Sequence, residues 1–260
     1  MRRNLVKQRL LKGETVIGTM VQELRTPAIA QILKQAGFDF FMIDMEHGSY
    51  SMETAADIIR VGRLLDMCPL VRVASPEYHL IARPLDQGAM GVMMPRLEAR
   101  AQVEKLVEAM KYPPAGKRGC SSDAPHSEYD FSPLPEWLEA NNEDTLVIAQ
   151  IERKVAIENV DDLLSVPGVD VALIGPEDLS VSLGAPGETG HPLVVDAIEK
   201  VIASAQRHGV TPGIHMGSTE RLLGWMAKGM RMIMYSSDLG FIMEAGAAGL
   251  SRLREASTGG

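Results

Sequence analysis

A (β/α)8 barrel is the fold this sequence predicts, and three observations predict it. The chain has 260 residues, a length that one such barrel fills undivided. Apolar runs of strand length alternate with segments of helical periodicity, the pattern of parallel strands joined by crossover helices. The alternation passes through eight strands, and no G-x-G-x-x-G turn follows the first, which argues against an open dinucleotide-binding sheet. Residues 1–260 are read as a single domain.

The elements follow in order. Residues 3–11 predict a short basic helix with Leu5, Leu10 and Leu11 on one side. Val16 to Met20 is a first strand. Thr26-Pro27 supplies an N-cap and a proline at the first helical position; Ile29, Ile32 and Leu33 then recur at helical spacing until Gly37 stops the helix. Phe38 to Met45 is a second strand, closed by Glu46-His47-Gly48. Ser51 caps a helix to about Leu65. Leu70 to Ala74 is a third strand with Arg72 inside it, and a helix from Tyr78 ends at Gly88. Gly91 to Pro95 is a fourth strand, and residues 97–110 form a helix with Val103, Leu106, Val107 and Met110 in phase. Further strands fall at 146–152, 169–175, 211–216 and 231–236, with helices near 154–164, 193–208, 218–228 and 240–254. Tyr112 to Asp144 breaks the rhythm. It is rich in Pro, Gly, Ser and acidic residues, and it reads as a functional loop over the catalytic mouth.

Composition narrows the function. A 45% hydrophobic, 23% charged chain is an ordinary globular one. A net charge of -8 argues against a nucleic-acid partner, which needs a basic face. Cys68 and Cys120 have no zinc or redox spacing, which points to the reducing cytoplasm. The basic N-terminus lacks the apolar core of a signal peptide, and no run of 18 apolar residues exists, so no membrane partner is expected.

In this fold, chemistry sits where the strands end. Those ends supply Asp44, Glu46 and His47, then Arg72, Pro95-Arg96, Gln150 and Glu152, Gly175 and Asp178, His215, and Ser236 to Asp238. In VIAQIE, Glu152 closes a buried strand and needs a partner. Asp178, in IGPEDLS, is the nearest candidate. Two such carboxylates repel unless a proton or cation lies between them, and a hard divalent metal suits oxygen ligands; helix caps or ion pairs with arginines are the alternative. Arg72 needs an anion, either one of those carboxylates or a substrate carboxylate gripped by its fork. His47 beside Asp44 reads as an oriented acid/base. His79, His126, His191 and His208 read as solvated, and His215 has no assigned role. A metal, a guanidinium and a base together suit enolate chemistry on a 2-keto acid. No lysine lies within a predicted strand, which disfavours a Schiff base; Lys154 comes nearest. The AGKRG segment lacks P-loop spacing, and neither G-x-S-x-G nor H-E-x-x-H occurs.

The segments FDFFMIDMEHG, PLVRV, LDQGAMGVMMPRLE, KYPPAGKRG, IAQIE with AIENVDDLLSVPGVDVALIGPEDLS, and SLG occur in order across residues 15–240. With them the chain resembles the HpcH/HpaI family of metal-dependent class II pyruvate aldolases. The resemblance implies a (β/α)8 barrel whose Glu152 and Asp178 bind Mg2+, Mn2+ or Co2+. Arg72 would contact pyruvate, Asp44 and His47 would transfer protons, and Gln150 would line the pyruvate site. Amides around Pro176, Glu177 and Asp178 would meet the substrate carboxylate. Asp86 would serve the aldehyde site of a neighbouring subunit, in a homotrimer or homohexamer whose last helix packs on an adjacent barrel. The implied reaction is reversible cleavage of a 4-hydroxy-2-keto acid to pyruvate and an aldehyde. Decarboxylation of oxaloacetate or a related keto diacid, and a non-catalytic keto-acid-binding barrel, are the alternatives. The segment 121–131, Glu177 and the His215-Met216 ending depart from the family pattern.

Overall fold

The computed structural model describes residues 2–130 and 132–258; of the domain read as 1–260, residues 1, 131, 259 and 260 lie outside it. Eight strands close a barrel in chain order, every neighbouring pair parallel. They are β1 (Val16–Val21), β2 (Phe40–Asp44), β3 (Cys68–Arg72), β4 (Gly91–Met94), β5 (Leu146–Ile151), β6 (Val171–Ile174), β7 (Thr211–Met216) and β8 (Met232–Ser237). The helices are α1 (Leu5–Leu11), α2 (Ala28–Gln35), α3 (Met52–Leu64), α4 (Tyr78–Asp86), α5 (Arg100–Met110), α6 (Leu134–Asp144), α7 (Lys154–Glu158), α8 (Val160–Leu164), α9 (Pro176–Ser182), α10 (Pro192–His208), α11 (Thr219–Ala227) and α12 (Asp238–Thr258). Among the described residues, no helix is long and apolar enough to cross a membrane.

Strand periodicity of two divides the core. Phe40, Met42, Leu70, Met93, Ile148, Leu173, Met232 and Met234 fill the barrel, while Phe41, Ile43, Val71, Val92, Val147 and Ile174 pack outward under the helices. Continuing the inward phase to the strand ends brings Asp44, Arg72, Gln150 and His215 to the top of the barrel interior. The first two stand opposite each other in register.

The N-terminal end of the barrel is plugged by α1. Val6 and Leu10 join the interior cluster. Leu5 and Leu11, expected on one side with Leu10, are exposed while Leu10 is buried, because the buried stripe follows the i, i+4 pair Val6 and Leu10. Asn4 caps this helix and donates to the carbonyls of Met90 (3.1 Å) and Asp144 (2.9 Å), tying it to the barrel floor. Ser51 caps α3 as expected, and Gly37 and Gly88, at φ 92° and 107°, end α2 and α4.

Several expectations need correction. Arg72 is the last residue of β3, not a mid-strand one, since pairing begins at Cys68. The segment 112–144 does not roof the mouth. It follows α5, which has already returned the chain to the opposite end of the barrel, and there it contains a 3-10 turn at Pro125–Ser127 and α6. Lys111 Nζ, just before it, donates to the carbonyls of Asn142 (2.5 Å) and Thr145 (2.7 Å). His126 is buried, not solvated. It lies between Tyr112 Oη (3.2 Å) and the Asp86 carbonyl (3.2 Å), its ring edge-on to Trp137. Burial pushes its pKa down to about 4. The helix expected over 154–164 breaks at Asn159, whose side chain donates to the Glu98 carbonyl at 3.0 Å.

Candidate active site

Two buried side chains at the strand ends hold each other. Arg72 donates from Nε to Asp44 Oδ1 at 2.8 Å and from Nη2 to Oδ2 at 2.5 Å. The same carboxylate accepts from the backbone amides of Glu46 (3.1 Å) and His47 (3.3 Å) and from Gln22 Nε2 (3.2 Å). Burial alone would raise the Asp44 pKa, but the guanidinium outweighs it and holds the carboxyl below its usual range. Burial would likewise lower Arg72, and Asp44 reverses that. Arg72 Nη1 has no protein partner among the described residues.

This arrangement bears on two expectations. Of the anions open to Arg72, a rim carboxylate or a substrate carboxylate, the structure supplies a rim carboxylate, and it is Asp44 in place of Glu152 or Asp178. The Asp44 carboxylate, saturated by these five donors, takes the His47 amide and not its ring. The imidazole turns outward, largely exposed, 3.8 Å from the Glu46 carboxylate. The Glu46 side chain is itself buried, 3.5 Å from Arg72 Nε and 3.2 Å from Arg96 Nε.

Across the barrel stands Glu152, one residue beyond β5. Its Oε1 accepts from the Arg96 amide at 2.8 Å, and its Oε2 accepts from Gln150 Nε2. Arg96 presents that amide from a left-handed backbone, φ 55°, a strained conformation for a long side chain. Glu152 is pushed up to about 7, by burial first and then by the charges of Asp178 and Glu46, against the opposing Arg96 amide and Arg72. Asp178 does not simply follow a strand. It lies in the first turn of α9, behind Pro176 at the first helical position and Glu177, a proline-then-acid start that the sequence displayed. The Asp178 carboxylate is exposed and has no protein partner among the described residues.

The remaining candidate residues separate. Gln150 joins the site and holds Glu152, while its own Oε1 is buried without a partner among the described residues. Asp86 lies at the far end of the barrel, where Arg118 Nη2 donates to it at 2.6 Å; it is not in the mouth of its own chain. His215 faces the barrel interior and donates from Nε2 to the Ser236 carbonyl at 2.9 Å. Gln22 was missed, although it is the first polar residue in the inward phase of β1 after Gly18 and Met20. The β1–α2 loop that carries it is fastened by Asp238, whose carboxylate accepts from the amides of Gln22, Glu23 and Leu24 at 2.8–3.0 Å.

The donors suit a hard cation. Glu152 and Asp178 repel each other, and the first is raised for that reason among others. Gly175 leaves the space open, since a Cβ there would stand 2.8 Å from Glu152 Oε2 and 2.9 Å from Gln150 Nε2. Among the described residues no three His, Cys, Asp or Glu side chains are grouped around one point. An ion here would therefore take two carboxylates and complete its shell with water or substrate oxygens, as Mg2+-type ions do.

A closed parallel barrel whose buried charges converge at the C-terminal mouth is the architecture of a (β/α)8 enzyme. The chain belongs to the HpcH/HpaI aldolase/citrate lyase family, whose sequence profile matches residues 20–245. It is 31% identical over 243 residues to the hydroxypyruvate/pyruvate aldolase of Roseobacter denitrificans, covering 94% of each chain. It is 31% identical over 240 residues to the 5-keto-4-deoxy-D-glucarate aldolase of Salmonella paratyphi C, covering 91% of each. The crystal structure of an HpcH/HpaI aldolase from Desulfitobacterium hafniense DCB-2 superimposes with a TM-score of 0.94 at 32% identity, covering 98% of both chains.

Proposed function

We propose that this protein is a class II aldolase that reversibly cleaves a 4-hydroxy-2-keto acid to pyruvate and an aldehyde. One observation carries the reading: Glu152, restrained by Arg96 and Gln150, lies within electrostatic reach of both Asp178 and Arg72, and among the described residues neither the Asp178 carboxylate nor Arg72 Nη1 has a protein partner. Glu152 and Asp178 would hold Mg2+, Mn2+ or Co2+, which supplies Lewis-acid stabilisation of an enolate oxygen. Arg72 adds a fixed guanidinium whose orientation Asp44 sets, so it need not reorganise as charge develops. The amides of Glu177 and Asp178, at the start of α9, are suited to a substrate carboxylate, with Pro176 fixing the turn. In the cleavage direction the 4-hydroxyl gives up its proton, the C3–C4 bond breaks, the aldehyde departs and the electron pair passes into the enolate. Proton transfer to C3 then yields pyruvate. We assign the hydroxyl proton to His47, at the rim beside Glu46. Among the described residues the strands contain no lysine, and Lys154 is exposed at the start of α7, which favours the metal route. We further propose a cytoplasmic homotrimer or homohexamer in which Asp86 serves a neighbour's aldehyde site.

The test is pyruvate release from a 4-hydroxy-2-keto acid before and after chelation. Loss of activity with EDTA and its return with Mn2+ are expected. Persistence after chelation, or borohydride trapping of pyruvate on the protein, would sink the proposal.

The outward His47 ring supports a second reaction at the same site, decarboxylation of oxaloacetate, which needs the enolate stabilisers but no base for an alcohol. His47→Ala should lower aldol cleavage about 100-fold and decarboxylation only a few fold, the ordinary scale for losing a general base; equal losses would refute the distinction.

A further inference from the structure

The aldolase reading uses the mouth of the barrel and leaves the opposite end without a task. Beneath the starts of β2, β3 and β4 lies a cavity of about 410 Å3, within the range of about 300–1,000 Å3 that small-molecule sites occupy. Val6, Phe38, Met67 and Met90 give it an apolar base. Leu5, exposed on α1 while Val6 is buried, lines the same space.

Five cations line the cavity, Arg2, Arg3, Arg9, Lys34 and Arg63. Three are closely paired. Arg9 Nη1 lies 2.5 Å from Asp39, Arg2 Nη1 2.5 Å from Asp66, and Arg3 Nε 2.9 Å from Asp144. Lys34, in the last turn of α2, has no carboxylate partner among the described residues. The Arg63 side chain is only 8% exposed, yet its partners are weak. Nη1 and Nη2 donate to the neutral carbonyls of Gly88 (3.2 Å) and His126 (3.3 Å). Among the described residues Glu128 is its one carboxylate, 3.7 Å away and already held by Arg2 Nε at 2.6 Å. Burial foremost, and then the Arg2 charge, lower the Arg63 pKa, and Glu128 does not make up the difference. Arg63 Nε has no protein partner among the described residues and is not among the solvent-excluded unpaired atoms, so a small molecule can reach it. Gly88, at φ 107°, gives the stem its room, since a Cβ there would stand 2.8 Å from Arg63 Cδ.

A buried cation whose partners are neutral or shared gains from a further anion. The apolar base beside it favours an anion that carries an apolar body, which a bare ion lacks. We propose that this cavity is a binding site for an amphipathic anion, a carboxylate or phosphate ester on an acyl-type chain, with the head drawn to Arg63 and Lys34 and the chain lying on Leu5, Val6, Phe38 and Met90. The site is at the far end of the barrel from Glu152 and Asp178. Its ligand is therefore not the keto acid proposed for the mouth, and the inference does not rest on the aldolase reading.

Calorimetry on the full chain, with Mg2+ present, tests it with octanoate and octyl phosphate against acetate and octyltrimethylammonium. Octanoate or octyl phosphate should bind saturably, and the tighter of the two identifies the head group. Acetate should bind about a hundredfold more weakly, since each buried methylene is worth about fourfold. The octyl cation should bind about tenfold more weakly or worse, the scale of one hydrogen bond to a charged group. Leu5→Glu and Lys34→Glu, both at exposed positions, should each weaken the tighter probe about fivefold or more. Arg63→Met keeps an apolar stem without the charge and should weaken it about tenfold, read once its melting temperature shows it folded; if it does not fold, the two exposed variants decide. Pyruvate should displace neither probe. Absence of saturable binding, equal binding of the octyl cation, undiminished affinity in Leu5→Glu or Lys34→Glu, or displacement by pyruvate would overturn the proposal.

Discussion

Arg72 and Asp44 form a two-point ion pair at the mouth of the barrel, Nε to Oδ1 at 2.8 Å and Nη2 to Oδ2 at 2.5 Å. The pair fixes the guanidinium plane and, among the described residues, leaves Nη1 without a protein partner. Removing one partner of such a buried pair leaves an uncompensated charge, at about 3–5 kcal/mol. Asp44→Asn should therefore lower both the urea midpoint and keto-acid turnover, the latter about 100-fold for a fork that has lost its charged partner. Arg72→Lys should fare no better in turnover, since an ammonium cannot make the bidentate contact. His47→Ala should leave the midpoint unchanged, because its ring is exposed. Chemical denaturation read beside steady-state kinetics checks all three, and a stable, active Asp44→Asn would show that the pair does not orient Arg72.

Metal removal separates the two carboxylates from the rest of the rim. A ligand present at a hundred times its dissociation constant stabilises the folded state by about 2.7 kcal/mol. Wild type should gain on that scale when Mn2+ is added, and EDTA should reverse the gain. Glu152→Gln and Asp178→Asn should each lose the Mn2+ response while keeping the barrel fold by circular dichroism. A full Mn2+ response in both variants would mean that the ion is held elsewhere.

Strand–helix alternation made the barrel legible, and the rim was legible because nearly every other strand position is apolar. What the sequence hid was partnership. Asp44 and His47 are adjacent on the page, and nothing in their spacing says that the carboxylate takes the histidine's amide and leaves its ring outside. Arg72 and Asp44 are 28 residues apart, and only strand register brings them together. Gln22 and Asp238 act across the seam where β8 meets β1, a juxtaposition that exists only once the barrel closes. The misplaced 112–144 segment was a matter of direction, since a segment that follows a helix belongs to the floor and one that follows a strand to the mouth.

Glu152 should make the metal-free protein less stable as pH rises. Its carboxyl has an ordinary value of 4.5 and is pushed up to about 7 in the fold, by burial foremost. The folded state therefore binds the proton more tightly than the unfolded chain. This contribution is fully present below about pH 4.5 and is lost as pH climbs to about 7. Glu152→Gln should flatten that slope. Because a cation requires the ionised form, Mn2+ binding below pH 7 should release a proton and weaken as pH falls. Melting temperatures from pH 5 to 8, with and without Mn2+, give both slopes; a metal-free stability that rises through this window in wild type but not in Glu152→Gln would contradict the assignment.

Asp238 tests whether the rim is organised from behind. One buried carboxylate, at the start of α12, accepts from four amides: Gln22 and Leu239 on Oδ1, both at 3.0 Å, and Glu23 (3.0 Å) and Leu24 (2.8 Å) on Oδ2. Three of these belong to the loop whose Gln22 side chain reaches Asp44. Asp238→Ala would leave these amides without their acceptor, at about 1–3 kcal/mol for each that stays buried. It should also free the loop, so that Gln22 no longer bears on Asp44 and turnover falls about tenfold, a loss of one positioning contact near 1.4 kcal/mol. Asp238→Asn, which keeps one acceptor oxygen, should fall between the two. Hydrogen exchange should speed up at the amides of residues 22–24 in proportion to the turnover lost. Faster exchange with undiminished turnover would show that the loop stabilises the barrel without positioning the Asp44–Arg72 pair.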